Sequence, residues 1–188
     1  SVTASGGFST RNMSILSFDS RLVEGITMVF MFLSSGHFGL LYILFVKRSL
    51  KPLRNSVLQF YVAALFVVAL ATAVSLKVND ICTDFGQAAW LSAFQTISVA
   101  STTGFAITDN STWPMSTNVI LLVMAVMCGC AGSTSGGVKA DRVLLLFKAV
   151  GRQVSRTLHP SSVNEIRIGT RVLKEDEITT HIMYLALY

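Results

Sequence analysis

The sequence predicts an all-α integral membrane protein, and three observations predict this class. Of the 188 residues, 52% are hydrophobic and only 13% are charged, about half the charged fraction of a soluble domain. Four stretches without a charged side chain are each 22 residues or longer, and about 20 apolar residues cross a bilayer; they cover 25–46, 55–76, 85–108 and 110–138. The basic residues lie at the ends of these stretches and form no basic face interleaved with aromatic residues, so we expect a lipid bilayer and not a nucleic acid as partner.

The basic residues assign a side of the membrane to each loop. The four Lys and Arg residues between 47 and 54 have no acid among them, so the positive-inside rule makes this loop cytoplasmic. The segment 78–137 has no Lys or Arg, and its acidic start, up to Asp84, is therefore external. A second basic segment runs from Lys139 to Arg156. These signs predict a multi-pass protein of the plasma membrane whose chain crosses an odd number of times between Asp84 and Lys139.

The 53 residues from Phe85 to Gly137 are too many for one crossing, and two crossings would leave the chain outside. A re-entrant segment resolves this: 85–100 has the length of a half-membrane helix, 101–104 are poor residues for a helix interior, and 110–114 form a turn with an interfacial Trp113. Non-helical backbone at this depth is tolerated only where it is buried in protein or lines a wet cavity. The segment 102–105 is therefore predicted to line a pore.

An internal repeat supports this interpretation. At an offset of 97 residues, Gly7 and Phe8 align with Gly104 and Phe105, and each pair precedes a polar loop and a long apolar run. The repeat divides the chain into three parts. Residues 1–54 are the end of one repeat, with a filter loop over 1–10 and an inner helix over 22–46. Residues 55–160 are a complete repeat: outer helix 55–76, pore helix 85–100, filter 101–105 and inner helix 115–156, which a loop over 128–139 breaks. Residues 161–188 are a cytoplasmic linker with the start of the next repeat.

The two glycine turns have the composition of an ion filter. Successive carbonyls can face one axis if a residue adopts a conformation that only glycine holds cheaply, and Gly7 and Gly104 are those residues. Rings of carbonyls replace the water shell of a monovalent cation, and Thr hydroxyls are expected to add one further oxygen layer. Because divalent cations prefer carboxylates, these turns favour K⁺. The alternative is a pair of helix-breaking loops with polar caps.

The run CGCAGSTSGGVK over 128–139 is the second informative segment. Small, flexible residues interrupt an apolar span and weaken a helix by about 1 kcal/mol per glycine; they are Gly129, Gly132, Ser133, Gly136 and Gly137. The break is predicted to form a loop below the filter that gates it, with Lys139 at its cytoplasmic end as a cap of the gate or as a membrane anchor. Packing of small residues between helices is the alternative, and a nucleotide P-loop is excluded because no Ser or Thr follows Lys139.

No catalytic constellation is present, so we do not predict an enzyme. No nucleophile elbow or zinc-protease motif occurs, and the three cysteines are interpreted as small packing residues. His37 lies within an uncharged span, where packing or a hydrogen bond between helices is favoured over a proton relay.

Three motifs in this order resemble the TrkH subunits of the Trk/Ktr/HKT potassium-uptake superfamily: ASGGFST over 4–10, STTGF over 101–105 with NSTWP over 110–114, and the run over 128–139. The resemblance implies pore-loop repeats and a fragment of a four-repeat channel-like fold, with K⁺ as the permeant ion and no other cofactor. The implied K⁺-binding filter residues are Ser5, Gly6, Gly7 and Phe8 in the first copy and Thr102, Thr103, Gly104 and Phe105 in the second. The implied gating loop is 129–139.

The same resemblance implies a homodimer in a bacterial inner membrane, and a cytosolic ring of TrkA-like, nucleotide-binding regulatory subunits for which 142–156 would be the dock. The expected function is potassium uptake through the filter, gated by the glycine-rich loop. A cation-coupled secondary transporter with discontinuous helices is the alternative, and a membrane segment without a transport role is a third reading. Ser5–Gly6 in place of Thr–Thr leaves a hydroxyl-level ion site in the first copy in doubt.

Overall fold

The computed structural model describes residues 2–9, 14–18, 20–48, 54–158, 167–168, 171–172 and 175–187. Seven helices account for most of these residues: α1 (Arg21–Ser35), α2 (Phe38–Phe45), α3 (Ser56–Val78), α4 (Phe85–Ala100), α5 (Met115–Met127), α6 (Ala140–Leu158) and α7 (Glu175–Leu187). Two-residue strands, β1 (Arg167–Ile168) and β2 (Arg171–Val172), pair antiparallel before α7. The all-α class is therefore confirmed, apart from this minimal hairpin.

Helix α3 begins at a capped residue and is long enough to cross a bilayer. The Asn55 side chain accepts a hydrogen bond from the Val57 N–H at 2.9 Å, which satisfies one of the free donors of the first turn. The helix has 23 residues, or about 35 Å at 1.5 Å per residue, against about 30 Å of hydrocarbon. Among the described residues it is the one single helix that is long and apolar enough to cross a membrane.

The inner helix predicted over 22–46 is two helices. α1 ends at Ser35, α2 begins at Phe38, and their axes form an angle of 110°. Gly36 is extended, with φ −74° and ψ 165°, and His37 caps α2 because its Nδ1 accepts a hydrogen bond from the Gly39 N–H at 3.1 Å. The chain therefore turns sharply at Gly36. The His37 ring caps its own helix and also packs against the segment 128–139, since it lies 3.4 Å from where a Cβ of Gly132 would be.

Helix α4 occupies the centre of the fold. Its 16 residues measure about 24 Å, less than the hydrocarbon thickness, and it packs against α1, α3 and α5. Trp113, predicted to lie at the membrane interface, is 4% exposed and packs against Leu76, Cys82, Ala88 and Leu121. The turn before α5 folds over the carboxyl end of α3 and the amino end of α4, and the indole fills the space between them.

Helices α6 and α7 form a pair at the end of the broken inner helix. Leu145 of α6 packs against Ile178 of α7, and the rings of Phe60 and Phe147 lie 6.2 Å apart, which joins α3 to α6. Residues 1 and 10 of the predicted filter loop lie outside the described residues, as do 161–166, 169–170, 173–174 and 188 of the predicted linker and next repeat.

Candidate functional site

Two turns, one before α1 and one after α4, share an uncommon backbone conformation. Ser5 and Gly7 have φ of 48° and 63°, and Thr102 and Gly104 have φ of 55° and 76°. Left-handed values are uncommon for residues other than glycine, yet Ser5 and Thr102 both adopt them at positions exactly one repeat offset apart. The 97-residue repeat inferred from a few identities therefore corresponds to a repeat in backbone conformation.

The second turn is fixed to the carboxyl end of α4 by one buried residue. The Ser98 carbonyl accepts hydrogen bonds from the N–H groups of Thr103 (3.1 Å) and Gly104 (3.4 Å). The Ser98 hydroxyl donates to the Phe105 carbonyl at 2.6 Å, so that carbonyl is turned towards the helix. The Phe105 ring is buried with Ile15, Met31, Phe94 and Ile107. Because the negative end of the helix dipole faces the turn, α4 favours a cation there.

The first turn lies directly against the second. A Cβ built on Gly7 would collide with the Thr103 carbonyl oxygen, whereas a Cβ on Gly104 would meet no atom within 4 Å. The two aligned glycines therefore serve different purposes: Gly7 permits close approach of the two turns, and Gly104 only supplies the left-handed conformation. The phenylalanines that follow also differ, since Phe105 is 3% exposed and Phe8 is 84% exposed.

A compact loop over 128–139 separates α5 from α6, as the sequence predicts. Its ends are closed by main-chain hydrogen bonds from Val138 N–H to the Val126 carbonyl (3.2 Å) and from Ala140 N–H to the Gly129 carbonyl (2.9 Å). The Lys139 ammonium group donates to the Ser135 carbonyl inside the loop. The carboxylate of Asp141 accepts from the Ala131 N–H at 3.1 Å. The loop is therefore a folded unit with its own internal bonds.

This loop binds the break between α1 and α2. The Cys130 N–H donates to the Ser35 carbonyl at 3.0 Å, the Thr134 N–H to the Ser34 carbonyl at 3.3 Å, and the Phe38 N–H to the Gly132 carbonyl at 3.3 Å. At the repeat offset of 97, residues 34–37 align with 131–134. The two aligned helix breaks therefore contact each other through their main chains. The alignment alone does not predict this contact.

The same loop also contacts both turns that are predicted to form the filter. The Thr134 hydroxyl lies 3.0 Å from the Ser5 hydroxyl and 3.1 Å from the Thr3 carbonyl oxygen. The Gly136 N–H donates to the Thr102 hydroxyl oxygen at 3.0 Å. The structure thus brings the predicted filter residues and the predicted gating loop together, with no intervening helix.

The hydroxyl groups of the two threonines in the second turn bond to other parts of the protein. Thr103 is 2% exposed, and its hydroxyl lies 2.8 Å from that of Ser101, while the Thr102 hydroxyl accepts from the Gly136 N–H of the loop over 128–139. The layer of Thr hydroxyl ligands stays a prediction. Sequence reasoning also missed Ser98 and Thr134. Ser98 lies between apolar residues near the end of α4, and its only signal was its spacing from the Thr–Thr–Gly–Phe turn. Thr134 lies between two serines, and nothing in the sequence distinguishes it from them.

A half-length helix that ends in a glycine turn, followed by a broken inner helix, defines an all-α integral membrane protein of the pore-loop class. The family model for TrkH, described as a cation transport protein, matches residues 56–187. The chain belongs to this family, which confirms the resemblance drawn from the three motifs.

Relatives and a solved structure agree with the family. The Trk system potassium uptake protein TrkH of Escherichia coli K12 is 36% identical over 173 residues, which are 92% of this chain and 36% of that protein. TrkG of the same organism is 30% identical over an alignment of 192 positions, which covers 100% of this chain and 39% of that protein. The crystal structure of the potassium transporter TrkH from Vibrio parahaemolyticus has a TM-score of 0.91 and 30% identity, and the match covers 98% of this chain and 40% of that one. The chain spans just over a third of the length of the curated relatives it matches.

Proposed function

We propose that this chain forms part of a potassium-uptake pathway in which K⁺ passes a filter of backbone carbonyls. One observation carries the proposal: two turns 97 residues apart have left-handed residues at the same two positions and meet at Gly7 and the Thr103 carbonyl. The names of the relatives, Trk system potassium uptake proteins, support K⁺ as the ion. K⁺ is here the transported ion, and no other cofactor is proposed.

The filter would work through the main chain of 5–7 and 102–104. In each turn, one residue of ordinary φ lies between two left-handed residues. This alternation would turn the neighbouring peptide groups so that their carbonyls face one side. Carbonyl oxygens so arranged replace the hydration shell of a dehydrated K⁺ ion. The carboxyl end of α4 adds the negative end of a helix dipole behind the second turn. Phe105 contributes its buried ring as an anchor, since its carbonyl is bonded to Ser98.

The loop over 128–139 would act as the gate. It bonds to both turns, so its present position lies against the filter, and ions would pass only after it is displaced. The ammonium group of Lys139, bonded to the Ser135 carbonyl, would add electrostatic repulsion of a cation while the loop is in place. Displacement would break the bonds to the α1–α2 break, which therefore takes part in gating.

We further propose that the intact protein is a homodimer of a bacterial inner membrane that binds a TrkA-like, nucleotide-binding regulatory ring at its cytoplasmic side. Support comes from α6, which continues the gating loop and carries Arg142, Lys148, Arg152 and Arg156. Arg142 packs on the Tyr184 ring of α7, with its guanidinium carbon 3.9 Å from the ring centroid. A regulator bound to α6 would therefore act on a helix joined directly to the gate.

Replacement of Gly104 by Ser in the intact transporter tests the filter. The new side chain finds open space but is forced into a left-handed backbone, with φ of 76°, so the carbonyl geometry should relax and the ratio of Rb⁺ to Na⁺ uptake should fall. An unchanged ratio would remove the filter assignment. Uptake that saturates and follows an imposed H⁺ or Na⁺ gradient would instead favour the coupled transporter, whereas ohmic single-channel K⁺ current would favour the channel mechanism.

A further inference from the structure

We propose that the hydroxyl groups of Ser5 and Thr102 form a two-point latch that holds the gating loop against the filter, with Thr134 as the positioning residue on the loop. The inference rests on the proposed filter and gate, and it assigns these hydroxyls a role other than ion coordination. The two latch residues occupy the same position in the two aligned turns, 97 residues apart.

The first bond joins the hydroxyls of Thr134 and Ser5. The Thr134 hydroxyl oxygen lies near the carbonyl oxygens of Thr3 (3.1 Å) and Ser34 (3.3 Å), and near the Ser5 hydroxyl at 3.0 Å. A hydroxyl has one proton to donate and two lone pairs to accept with. Because the carbonyls can only accept, the arrangement that uses all of these contacts directs the Thr134 proton to a carbonyl and has the Ser5 hydroxyl donate to Thr134.

The second bond uses a lone pair of Thr102. The Gly136 N–H donates to the Thr102 hydroxyl oxygen at 3.0 Å, and the methyl group of Thr102 lies 3.9 Å from where a Cβ of Gly136 would be. Thr134 and Gly136 are only two residues apart in the loop, yet they bind different filter turns. The loop therefore bridges the two repeats at the level of the filter.

The left-handed conformation of the latch residues supports the same role. Ser5 and Thr102 have φ of 48° and 55°, a conformation that is strained for a residue other than glycine and persists only where the surroundings hold it. In both turns the side chain of this residue bonds to the same loop. The loop thus contacts each turn at its first left-handed residue.

Removal of one latch hydroxyl should release the loop without altering the filter carbonyls. One neutral hydrogen bond contributes about 1 kcal/mol, or roughly a fivefold change in an equilibrium constant. In the intact transporter, reconstituted in liposomes without regulatory subunits, we expect Ser5→Ala and Thr102→Val each to raise basal Rb⁺ uptake several-fold at an unchanged ratio of Rb⁺ to Na⁺ uptake. Thr102→Ser, which keeps the hydroxyl, should raise uptake less than Thr102→Val does.

Two further comparisons separate a latch from a general loss of packing. Ser5→Ala combined with Thr134→Val should raise uptake no more than Thr134→Val alone, because both changes remove the same bond. The matched control is Thr117→Val, which removes a hydroxyl pair between α3 and α5 (Ser75 to Thr117, 2.8 Å) and should leave basal uptake at the parental rate.

A labelling measurement covers the case in which a latch variant conducts poorly. Ser135 is 4% exposed in the docked loop. In a background in which the three native cysteines, all free and buried, are replaced by alanine, a cysteine placed there with Ser135→Cys should react with a thiol reagent faster when Thr102→Val is added. An unchanged labelling rate, or Thr102→Val uptake at the parental rate, would overturn the latch. Lower uptake with a lower Rb⁺ to Na⁺ ratio would also overturn it and assign the Thr102 hydroxyl to the ion. An error in the filter assignment would be seen separately, as an unchanged ratio of Rb⁺ to Na⁺ uptake in Gly104→Ser.

Discussion

Replacement of Gly7 by Ala examines the contact between the two filter turns. Gly7 and Gly104 both have left-handed backbones, with φ of 63° and 76°, so an added Cβ has a conformational cost at either position. Only at Gly7 would it also collide with a carbonyl oxygen, that of Thr103 in the other turn. If the two turns form one filter, a substitution in the first turn must therefore displace a carbonyl of the second.

The size of the effect follows from these two contributions. A left-handed conformation costs an L-residue about 1–2 kcal/mol, which is all that Gly104→Ala should experience because its Cβ meets no atom within 4 Å. An overpacked contact typically adds about 1–3 kcal/mol. If this energy opposes the conducting conformation, Gly104→Ala lowers uptake roughly five- to thirtyfold, and Gly7→Ala lowers it by at least a further factor of about five.

Initial rates of Rb⁺ and Na⁺ uptake by the intact transporter in liposomes would measure both variants. The matched control is Gly25→Ala, whose Cβ would lie in ordinary contact, 3.6 Å, with the Trp90 ring in a helix interior where Ala is favoured over Gly; its rates should be parental. Equal losses in Gly7→Ala and Gly104→Ala would refute the contact between the turns. A Gly7→Ala variant with the parental ratio of Rb⁺ to Na⁺ uptake would refute its place in the filter.

Three further outcomes are expected. Deletion of 132–136 removes the part of the loop that touches both turns and should raise basal Rb⁺ uptake; normal assembly with unaltered or lower uptake would favour simple helix packing. Trp90→Phe removes the 2.6 Å bond from the indole N–H to a Glu24 carboxylate oxygen. It should lower the midpoint of thermal unfolding in detergent, since a hydrogen bond to a charged group contributes about 1.5–3 kcal/mol, and an unchanged midpoint would contradict this. Arg152→Glu with Arg156→Glu should weaken binding of the purified regulatory ring most at low salt, and equal binding at all salt concentrations would exclude this face of α6.

Local features of the fold were predictable where the sequence changes its chemistry abruptly. The sequence predicts the pore helix over 85–100, and the structure has α4 over Phe85–Ala100, because an acidic residue precedes it and Ser–Thr–Thr–Gly follows. The loop over 128–139 was visible for the same reason, since glycine and serine interrupt a run of good helix formers.

Other features depend on contacts between residues far apart in sequence. The 110° turn at Gly36 is stabilised by the gating loop nearly 100 residues later, and an apolar run of uniform character gives no sign of it. The bond from the Gly136 N–H to the Thr102 hydroxyl oxygen could not be predicted, because the spacing of the two residues does not indicate it. The burial of Trp113 against α3, α4 and α5 likewise depends on contacts that an interfacial position for an aromatic residue does not specify.

The attachment of the second turn to Ser98 limits how long the narrow part of the pathway can be. Both ends of 102–105 are tied to α4, and four residues extend over at most about 14 Å, less than half of the roughly 30 Å of hydrocarbon. Water-filled vestibules conduct well, so most of the membrane voltage would fall across this short resistive segment. An ion crossing it would gain nearly the full electrical work, about 2.3 kcal/mol per 100 mV, and a negative interior would drive uptake through a single short step.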